Sequence, residues 1–433
     1  MNNKFLLAGL LLLCAAVIIA VILIMKRSKQ QISGALRARL WGIVALVVVL
    51  LLGNIGVTAA RFADTETSTN NTIQVKTNWY NLAWHYRKAI TIDHTKVIGA
   101  VQSGFTVLIS RTDPNWAMPA AGHPEYHGGQ ADGGDFVFTA ADGMVKLNHE
   151  IEKYNPATGE LIAWVMIDAL SNTADTVIYV YYGNASCSDQ WSATGVWDTN
   201  TKAVWHMKEN PAGTAPQIHD STTNTNNGTT AGGMTSGDQV TGGKIDGSID
   251  FEGTDDCVTV ADSNSLSIGT AVTLSAWINT RSNSGTHDII AKWEPTNSFL
   301  GLFTYGANQE YRLYLSGPEI GVGASSGTAV TSGAGLQANT WYHIEMVWSG
   351  GSAVTVYKNG VSLGALTLSS YPDIQLGGTA DPLTIAEYNS GNYFNGIIDE
   401  TRVSMTARSA GWIQTEYNNQ NSPDTFVKVG VEE

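Results

Sequence analysis

Side chains with hard oxygen ligands are concentrated in one short segment, residues 220–228, which reads Asp-Ser-Thr-Thr-Asn-Thr-Asn-Asn-Gly. Calcium takes roughly six to eight oxygen atoms from carboxylates, amides, backbone carbonyls and water. Because Asp220, Asn224 and Asn227 supply such oxygens, the segment predicts a structural calcium site. The same residue types form Asx turns in ordinary polar loops, and the sequence leaves that alternative open.

A second segment holds four carboxylates: Asp250, Glu252, Asp255 and Asp256. Asp250 and Glu252 are two residues apart, so they share one face of a strand. Glycosidases place two carboxyl groups roughly 5 Å apart when they retain configuration and about 6.5–9.5 Å apart when they invert it. The pattern favours turn chemistry or a bound cation over catalysis, and we predict no catalytic residues.

Four aromatic residues lie near the ends of predicted loops: Trp293, Tyr305, Tyr388 and Tyr393. Flat apolar rings with a polar edge stack well on the faces of sugars. These four residues are therefore the predicted ligand-binding residues. Other tryptophans fall within predicted strands and are assigned to the core.

The first 60 residues contain two apolar runs, 5–25 and 40–59, on either side of five Lys and Arg residues within 26–39. Runs of about 20 apolar residues can cross a bilayer as helices, and a positive loop stays in the cytoplasm. The pattern predicts an N-terminal transmembrane hairpin and a cell-membrane localisation with extracellular C-terminal domains. In the alternative, the second run is a signal cut near Ala60, and the protein is secreted.

Residues 61–433 are strongly acidic, with all 38 Asp and Glu but 18 of the 24 Lys and Arg, a net charge of −20. Such a surface repels nucleic acid and suits hydrated sugars, cations or a crowded cell surface. We therefore expect no nucleic-acid partner. Cys187 and Cys257 lie in this part, and the sequence leaves open whether they pair.

Beyond residue 80, short runs of Val, Ile, Thr, Tyr and Trp alternate with Gly, Asn, Asp and Pro, as in antiparallel sandwiches. The Asn359-Gly360 pair predicts a hairpin with a type I′ turn. A short helix is predicted near 409–417, and 221–243 is predicted to be a long loop. The main predicted strands are 105–110, 135–139, 161–167, 176–182, 272–279, 341–348, 383–387 and 397–404.

The predicted fold class is mainly β, with two consecutive antiparallel β-sandwich (jelly-roll) domains after the helical hairpin. Residues 1–60 form the two hydrophobic helices, and residues 61–80 form a linker or an exchangeable strand. Residues 81–200 form the first sandwich, and residues 201–430 form the second.

Residues 245–258, Ile-Asp-Gly-Ser-Ile-Asp-Phe-Glu-Gly-Thr-Asp-Asp-Cys-Val, resemble the opening strands of laminin-G-like, concanavalin A-like jelly rolls. Trp277 within 272–278, Trp341-Tyr342-His343 and the 396–403 strand continue that pattern in order. The resemblance implies a two-sheet sandwich that binds glycans or proteins. It also implies that Asp399 completes the calcium site of the 220–228 loop. The Glu-x-Asp-x-x-Glu run of concanavalin-type glucanases is absent.

Two further resemblances concern the residues before this domain. Residues 84–92 (Trp-His-Tyr-Arg-Lys-Ala-Ile-Thr-Ile) and 179–184 (Tyr-Val-Tyr-Tyr-Gly-Asn) resemble an uncharacterised β-domain that often precedes laminin-G-like modules in surface proteins. Residues 58–72 resemble the cleavage region of the camelysin/TasA matrix-fibre proteins. Some of those secreted subunits assemble by donating an N-terminal strand, which implies possible self-assembly.

These observations predict a non-catalytic cell-surface binding protein, adhesin-like, which recognises a glycan or a surface protein through the laminin-G-like domain. Calcium is the predicted structural ion. One alternative is a subunit of an extracellular filament, assembled by donation of residues 61–79 to a neighbouring sheet edge. The other alternative is a polysaccharide-acting hydrolase that uses Asp250 and Glu252.

Overall fold

The structure, a computed structural model of the chain, describes residues 78–267, 269–293, 309–324, 327–368, 382–388 and 391–433. Regular structure in these ranges is almost entirely antiparallel β-sheet, which confirms the mainly β class. The first strands are β1 Tyr86–Ile92, β2 Gln102–Thr112, β3 Val137–Thr139, β4 His149–Asn155, β5 Glu160–Leu170 and β6 Thr176–Tyr182. They are followed by β7 Thr201–Trp205, β8 Gly228–Ala231, β9 Gln239–Val240, β10 Ser248–Glu252, β11 Cys257–Val260, β12 Val272–Thr280, β13 Thr286–Trp293, β14 Gln309–Ser316, β15 Glu319–Ala324, β16 Gly327–Val330, β17 Trp341–Trp348, β18 Ala353–Lys358, β19 Val361–Thr367, β20 Leu383–Ile385 and β21 Asn395–Ser404. The chain then forms α1 Ala410–Asn421, α2 Pro423–Phe426 and β22 Val427–Glu432.

Two sheets, with strand orders β22-β1-β6-β3 and β2-β5-β4, form the first sandwich. Successive side chains of a strand point to opposite faces of its sheet. Phe105 and Val107 of β2 accordingly enter the core between the two sheets. Leu108 of β2 and Trp164 of β5 belong to a separate apolar cluster on the opposite face, which also contains Ile245 of the second sandwich. The three-stranded sheet is therefore buried on both faces.

The C-terminal strand completes the first sandwich. Strand β1 pairs with β6 on one side and with β22 on the other. Phe426 and Val427 are buried in the core of the first sandwich, and Arg87 Nη2 lies 2.6 Å from the Glu433 carboxylate. The chain thus enters the second sandwich from β6 and returns to the first through the two helices.

The second sandwich packs a sheet of order β19-β18-β17-β12-β21-β10-β9, with β7 paired to β21, against one of order β16-β15-β14-β13-β20-β11-β8. Its core contains Phe251, Ile278, Leu313 and Ile344, each fully buried. The predicted hairpin is confirmed. Strands β18 and β19 pair, and the turn residues Asn359 and Gly360 have φ of +52° and +74°, as a type I′ turn requires.

Helix α1 lies over both sandwiches. The Ser409 side chain accepts a hydrogen bond from the Trp412 backbone N–H at 3.1 Å and caps the helix at its start. The Asn419 side chain accepts from the Leu108 N–H at 2.7 Å and donates to the Leu108 carbonyl at 3.0 Å. That contact satisfies the exposed edge of β2. On the other side, Trp277 Nε1 of β12 donates to Gln420 Oε1 at 2.6 Å.

The predicted long loop at 221–243 is wrong in part, because β8 and β9 lie within it. Strand β8 pairs with β11, and β9 pairs with β10. Both are short strands at the edges of their sheets. Polar residues are common on such edges, so their sequences look like loops.

The predicted cell-membrane localisation is wrong, because no helix in the described ranges is long and apolar enough to cross a membrane. Helix α1 has 12 residues, which rise about 18 Å along the axis. The hydrocarbon core is about 30 Å thick. The apolar runs at 5–25 and 40–59, the cleavage point near Ala60 and residues 61–77 of the predicted linker or exchangeable strand at 61–80 lie outside the described residues.

Candidate ligand-binding cleft at the junction of the sandwiches

A cleft opens where the two sandwiches and helix α1 meet. Its cavity volume is about 30 Å³, which leaves room for about two water molecules. Strand β2 forms one wall, and β12, β21, α1 and the connection between the sandwiches form the others. The lining residues are Gly104, Phe105, Thr106, Trp197, Asp198, Thr201, Thr273, Ser275, Arg402, Ser404, Arg408, Trp412 and Glu416.

Arg408 is held in the wall by one carboxylate, two hydroxyl groups, those of Thr201 and Ser404, and one indole ring. Its guanidinium donates to both carboxylate oxygens of Asp198, at 2.8 and 2.7 Å. It also donates to Thr201 Oγ1 at 2.9 Å. The guanidinium carbon lies 4.0 Å from the ring centre of Trp412, within cation–π range. Phe105 meets the Trp412 ring edge to face at 4.8 Å. This side of the cleft is therefore fixed before any ligand arrives.

Arg402 occupies the deeper wall and is 8 % exposed. It donates to Glu400 Oε2 at 2.6 Å and to Glu416 Oε1 at 2.5 Å. Its guanidinium carbon lies 4.6 Å from the ring of Trp164 and 4.8 Å from the ring of Trp197. The two carboxylates supply the counter-charge that a buried guanidinium requires.

The ion pairs keep the cleft charged at neutral pH. Burial by itself raises the pKa of Asp198, but Arg408 and Thr201 outweigh burial and lower that pKa to about 2. Burial lowers the pKa of Arg402, whereas the charges of Glu400 and Glu416 raise it, and the net effect is a rise. The cleft thus combines indole rings, hydroxyl groups and balanced fixed charges.

Beneath the cleft lies a buried cluster formed by Glu150, Glu152, His206 and Glu400. His206 Nδ1 is 2.6 Å from Glu400 Oε1 and 3.6 Å from Glu152 Oε2. His206 Nε2 is 3.5 Å from Glu150 Oε1. Trp164 Nε1 donates to Glu152 Oε2 at 2.6 Å. The first sandwich supplies Glu150 and Glu152, and the chain of the second supplies His206 and Glu400.

The backbone explains how these side chains converge. Glu150 and Glu152 alternate with Ile151 on β4, so both point away from the first core, against which Ile151 packs. On β21, the pairing with β12 is irregular between Asp399 and Arg402, which is a β-bulge. Glu400 lies in this bulge with φ of +49°. A bulge redirects side chains, and here it lets Glu400 reach the cluster.

Burial and neighbouring charges shift the pKa values of Glu152 and Glu400 in opposite directions. Burial raises the pKa of Glu152 to about 8; His206 opposes this rise and Glu400 adds to it. Burial also raises the pKa of Glu400, but His206 and Arg402 outweigh it and bring the pKa to about 2. Burial lowers the pKa of His206, yet the surrounding carboxylates raise it well above its ordinary value. All three residues are at most 6 % exposed, so they do not meet a substrate from solvent.

The predicted calcium ligands lie in one loop except for Asp399. The two oxygens of Asp220 accept four hydrogen bonds of 2.8–3.0 Å, from the Val204, Thr222 and Asn226 backbone and the Thr222 hydroxyl. Asn227 Oδ1 accepts from the Asp220 N–H at 2.8 Å. The bond from the Thr222 N–H to Asp220 is the Asx-type contact of the alternative interpretation, and the bond from Val204 ties the loop to β7.

The remaining two predicted ligands bond elsewhere. Asn224 Nδ2 donates to the Lys202 carbonyl at 3.0 Å. Asp399 Oδ2 accepts from the Lys244 and Ile245 N–H groups at 2.8 and 2.9 Å. Asp220 and Asp399 therefore accept from different backbone segments. Calcium at this loop stays a prediction.

Of the predicted ligand-binding aromatics, Tyr388 and Tyr393 have described side chains, and neither lines the cleft. The Tyr388 ring is half-buried, and the Arg312 guanidinium carbon lies 4.2 Å from its centre. Tyr393 is half-buried, and its carbonyl lies 2.8 Å from His287 Nδ1. Tyr305 and the side chain of Trp293 lie outside the described residues. Sugar binding by these four residues stays a prediction.

The acidic segment at 250–256 divides into two parts. Asp250 forms a bidentate ion pair with Arg281. Carboxylate oxygens of Glu252, Asp255 and Asp256 lie within 4.8 Å of one another. Burial raises the pKa of Asp256 to about 6, and the neighbouring carboxylates add to this. Both Cys187 and Cys257 are free thiols.

Sequence reasoning did not identify Trp197, Arg408 and Trp412 as functional residues. The pair Trp197-Asp198 lies between β6 and β7, and Arg408 and Trp412 flank the predicted helix start. Each feature is visible in the sequence, but Arg408 and Asp198 are 210 residues apart along the chain. Only the packing of the two sandwiches brings them together.

Comparisons with known families confirm the two resemblances that concern the described residues. Residues 252–414 match the laminin G family described as the concanavalin A-like lectin/glucanases superfamily. Residues 132–201 match the Domain of unknown function (DUF2341). The chain therefore contains a concanavalin A-like domain preceded by a domain of unknown function. No curated protein matches the sequence.

The solved structures that match this chain cover about half of it, with low sequence identity and low TM-scores. The binding domain of Paraclostridial Mosquitocidal Protein 1 is 14% identical, with a TM-score of 0.37, and the match covers 50% of this chain and 52% of that one. The receptor binding domain of botulinum neurotoxin C/D mosaic serotype is 15% identical, with a TM-score of 0.37 and 51% coverage of both chains. Domain 4 of AbnA, a GH43 extracellular arabinanase from Geobacillus stearothermophilus, in complex with arabinotriose, is 18% identical, with a TM-score of 0.38, and the match covers 51% of this chain and 98% of that domain. This chain spans about half the length of the two toxin domains.

Proposed function

We propose that this protein is a non-catalytic binding protein that binds a saccharide at the mouth of the cleft between its two sandwiches. The observation that carries the proposal is the composition of that cleft. The indole rings of Trp197 and Trp412 lie beside the fixed charges of Asp198, Arg402 and Arg408. The concanavalin A-like match at 252–414 agrees with this class of ligand.

The chemistry of a sugar corresponds to these groups. A pyranose ring has an apolar C–H face, which packs on indole, and a rim of hydroxyl groups, which bond to charged and hydroxyl side chains. Thr106, Thr201 and Ser275 add hydroxyl groups to the walls. Because Asp198 already orients Arg408, little side-chain entropy is lost on binding.

Two features support binding over hydrolysis. The carboxyl pair with widely separated pKa values, Glu152 and Glu400, is buried beneath the cleft. On the described surface, Asp250 is engaged by Arg281 through two hydrogen bonds. Both of its carboxylate oxygens are therefore already bonded to a cation.

Glycan-array binding tests the proposal, with neutral and acidic oligosaccharides and the full-length chain. Trp412→Ala is expected to weaken binding roughly tenfold or more, as loss of a central aromatic contact does. Arg408→Lys keeps the charge but loses the planar fork, and should also weaken binding. Trp191→Ala is the matched control, because Trp191 is 40 % exposed and outside the cleft.

The proposal would be contradicted if the wild-type protein bound no saccharide on the array. Binding that survives Trp412→Ala and Arg408→Lys unchanged would contradict the assignment to this cleft. Far-ultraviolet circular dichroism of each variant separates loss of binding from loss of fold.

A further inference from the structure

We propose that Glu152, His206 and Glu400 form a binding site for one divalent transition-metal ion, with zinc as the best-fitting ion, which joins the two sandwiches. Glu152 belongs to β4 of the first sandwich, His206 follows β7, and Glu400 belongs to β21 of the second. Ligand atoms of the three residues lie within 4.8 Å of one another.

The distances suit tetrahedral coordination. Zinc binds imidazole nitrogen and carboxylate oxygen at about 2.0–2.2 Å, which puts neighbouring ligand atoms about 3.3 Å apart. His206 Nδ1 lies 2.6 Å from Glu400 Oε1 and 3.6 Å from Glu152 Oε2. These two separations lie on either side of the expected value, so side-chain shifts of less than about 1 Å would complete the site.

Unpartnered buried atoms provide independent support. Glu152 Oε1 and His206 Nε2 are buried and have no hydrogen-bond partner. A buried polar atom without a partner is costly. An ion bound to Nδ1 leaves the proton on Nε2, which faces Glu150 Oε1 at 3.5 Å. A small rotation of the Glu152 carboxylate would present Oε1, the atom without a partner, to the ion and leave Oε2 bonded to Trp164 Nε1.

Neighbouring groups are placed as outer partners of metal ligands usually are. Trp164 Nε1 donates to Glu152 Oε2 at 2.6 Å, and Arg402 Nη2 donates to Glu400 Oε2 at 2.6 Å. The Glu150 carboxylate, which faces the histidine, accepts from Ser221 Oγ at 2.7 Å. Each first ligand is thus oriented by a second group.

The local charge favours a dication. Buried carboxyl groups around the site outnumber the cationic side chains by three when His206 is neutral. The carboxyl groups are Glu150, Glu152, Glu345, Asp399, Glu400 and Glu416, and the cations are Lys208, Lys244 and Arg402. One divalent ion offsets most of this excess. Two protons, one on His206 and one on Glu152, would offset it equally, and the experiment decides between these states.

The donor set selects the class of metal. Imidazole nitrogen with carboxylate oxygen suits zinc and its first-row neighbours, whereas calcium and magnesium prefer oxygen alone. Three protein ligands leave one position for a water molecule. Because the ligands come from both sandwiches, the ion would hold the two sandwiches together.

Metal content of the full-length chain tests this proposal. The protein, purified without a histidine tag and stripped with a chelator, is titrated with Zn²⁺ and analysed by plasma mass spectrometry. We expect about one equivalent of zinc and a rise in melting temperature that Ca²⁺ does not produce. Co²⁺ should give the visible absorption of a tetrahedral site.

Glu152→Gln is the main variant, because it keeps the side-chain volume and removes one anionic ligand. It should weaken zinc binding by more than the roughly 10–100-fold loss that follows removal of an outer partner. Glu345→Gln is the matched control, since Glu345 is a buried carboxylate 3.1 Å from the buried His343 but outside the site. It should leave zinc binding unchanged.

A protein that retains no zinc and whose melting temperature ignores Zn²⁺ would overturn the proposal in favour of the protonated state. Zinc binding that Glu152→Gln leaves intact would place the ion elsewhere and would also overturn it. Near-ultraviolet circular dichroism shows whether the variant keeps the wild-type packing, and Glu400→Gln provides a second ligand variant if it does not.

Discussion

Replacement of Arg408 by methionine isolates the electrostatic part of the cleft wall. Methionine keeps an unbranched apolar side chain against Trp412 but removes the ion pair with Asp198. The pKa of Asp198 is lowered from its ordinary value of 3.8 to about 2. A difference of about 1.8 units corresponds to about 2 kcal/mol at 1.36 kcal/mol per unit. Thr201 contributes part of this shift and Asp198 is partly exposed, so Arg408→Met should lower the free energy of unfolding by about 1–2 kcal/mol at pH 7.

The pH dependence gives this prediction its sign. A carboxyl group whose folded pKa is lowered contributes stability above its unfolded pKa, and that contribution is lost as pH falls through the folded pKa. The wild-type advantage should therefore be complete above about pH 5, decline as the pH falls and be mostly lost by about pH 2. Urea unfolding followed by tryptophan fluorescence between pH 2 and 7 measures it.

Arg281→Met is the matched control, since Arg281 forms a similar pair with Asp250 but its side chain is 42% exposed. Exposed pairs contribute about 0–1 kcal/mol. The reasoning is refuted if Arg408→Met costs no more than Arg281→Met. It is equally refuted if the loss is the same at pH 7 and pH 2.

Three further predictions follow from other parts of the molecule. Burial lowers the pKa of His149 to about 4. The wild type should therefore lose stability between about pH 6.5 and pH 4, and His149→Gln should not. Equal pH slopes of the free energy of unfolding for the two proteins would contradict this. Gly159→Ala should lower the melting temperature by several degrees, because Gly159 has φ of +71° and an added Cβ would lie 2.0 Å from the Asp113 carbonyl oxygen; an unchanged temperature would contradict it. If the predicted calcium site at Asp220 exists, Ca²⁺ should raise the melting temperature and Asp220→Asn should abolish the rise, as measured by calorimetry; no response of the wild type would exclude the site.

The fold was predictable where local pattern decides structure. The strand predicted at 341–348 is β17 with the same bounds, and the strand predicted at 176–182 is β6. Alternating apolar residues fix which face of a strand is buried, and Asn359-Gly360 fixes its turn. The return of β22 to the first sandwich has no local signal, because it depends on pairing with β1, more than 300 residues away in sequence.

The cleft and the buried cluster were not predictable for a related reason. Glu400 reaches His206 only because of a bulge in β21, and bulges leave no firm trace in residue type. The segment at 220–228 shows the converse. Its oxygen-rich composition fits calcium, but Asp220 accepts bonds from backbone N–H groups of its own loop and of β7. Composition identifies donors and acceptors without identifying their partners.

Hydrogen–deuterium exchange with and without the saccharide selected by the array tests the central claim most directly. Binding in the cleft should slow exchange in residues 197–201 and 404–412, which line it from two sides. Protection confined to the segments around Tyr388 and Tyr393, with none in residues 197–201 and 404–412, would contradict the account.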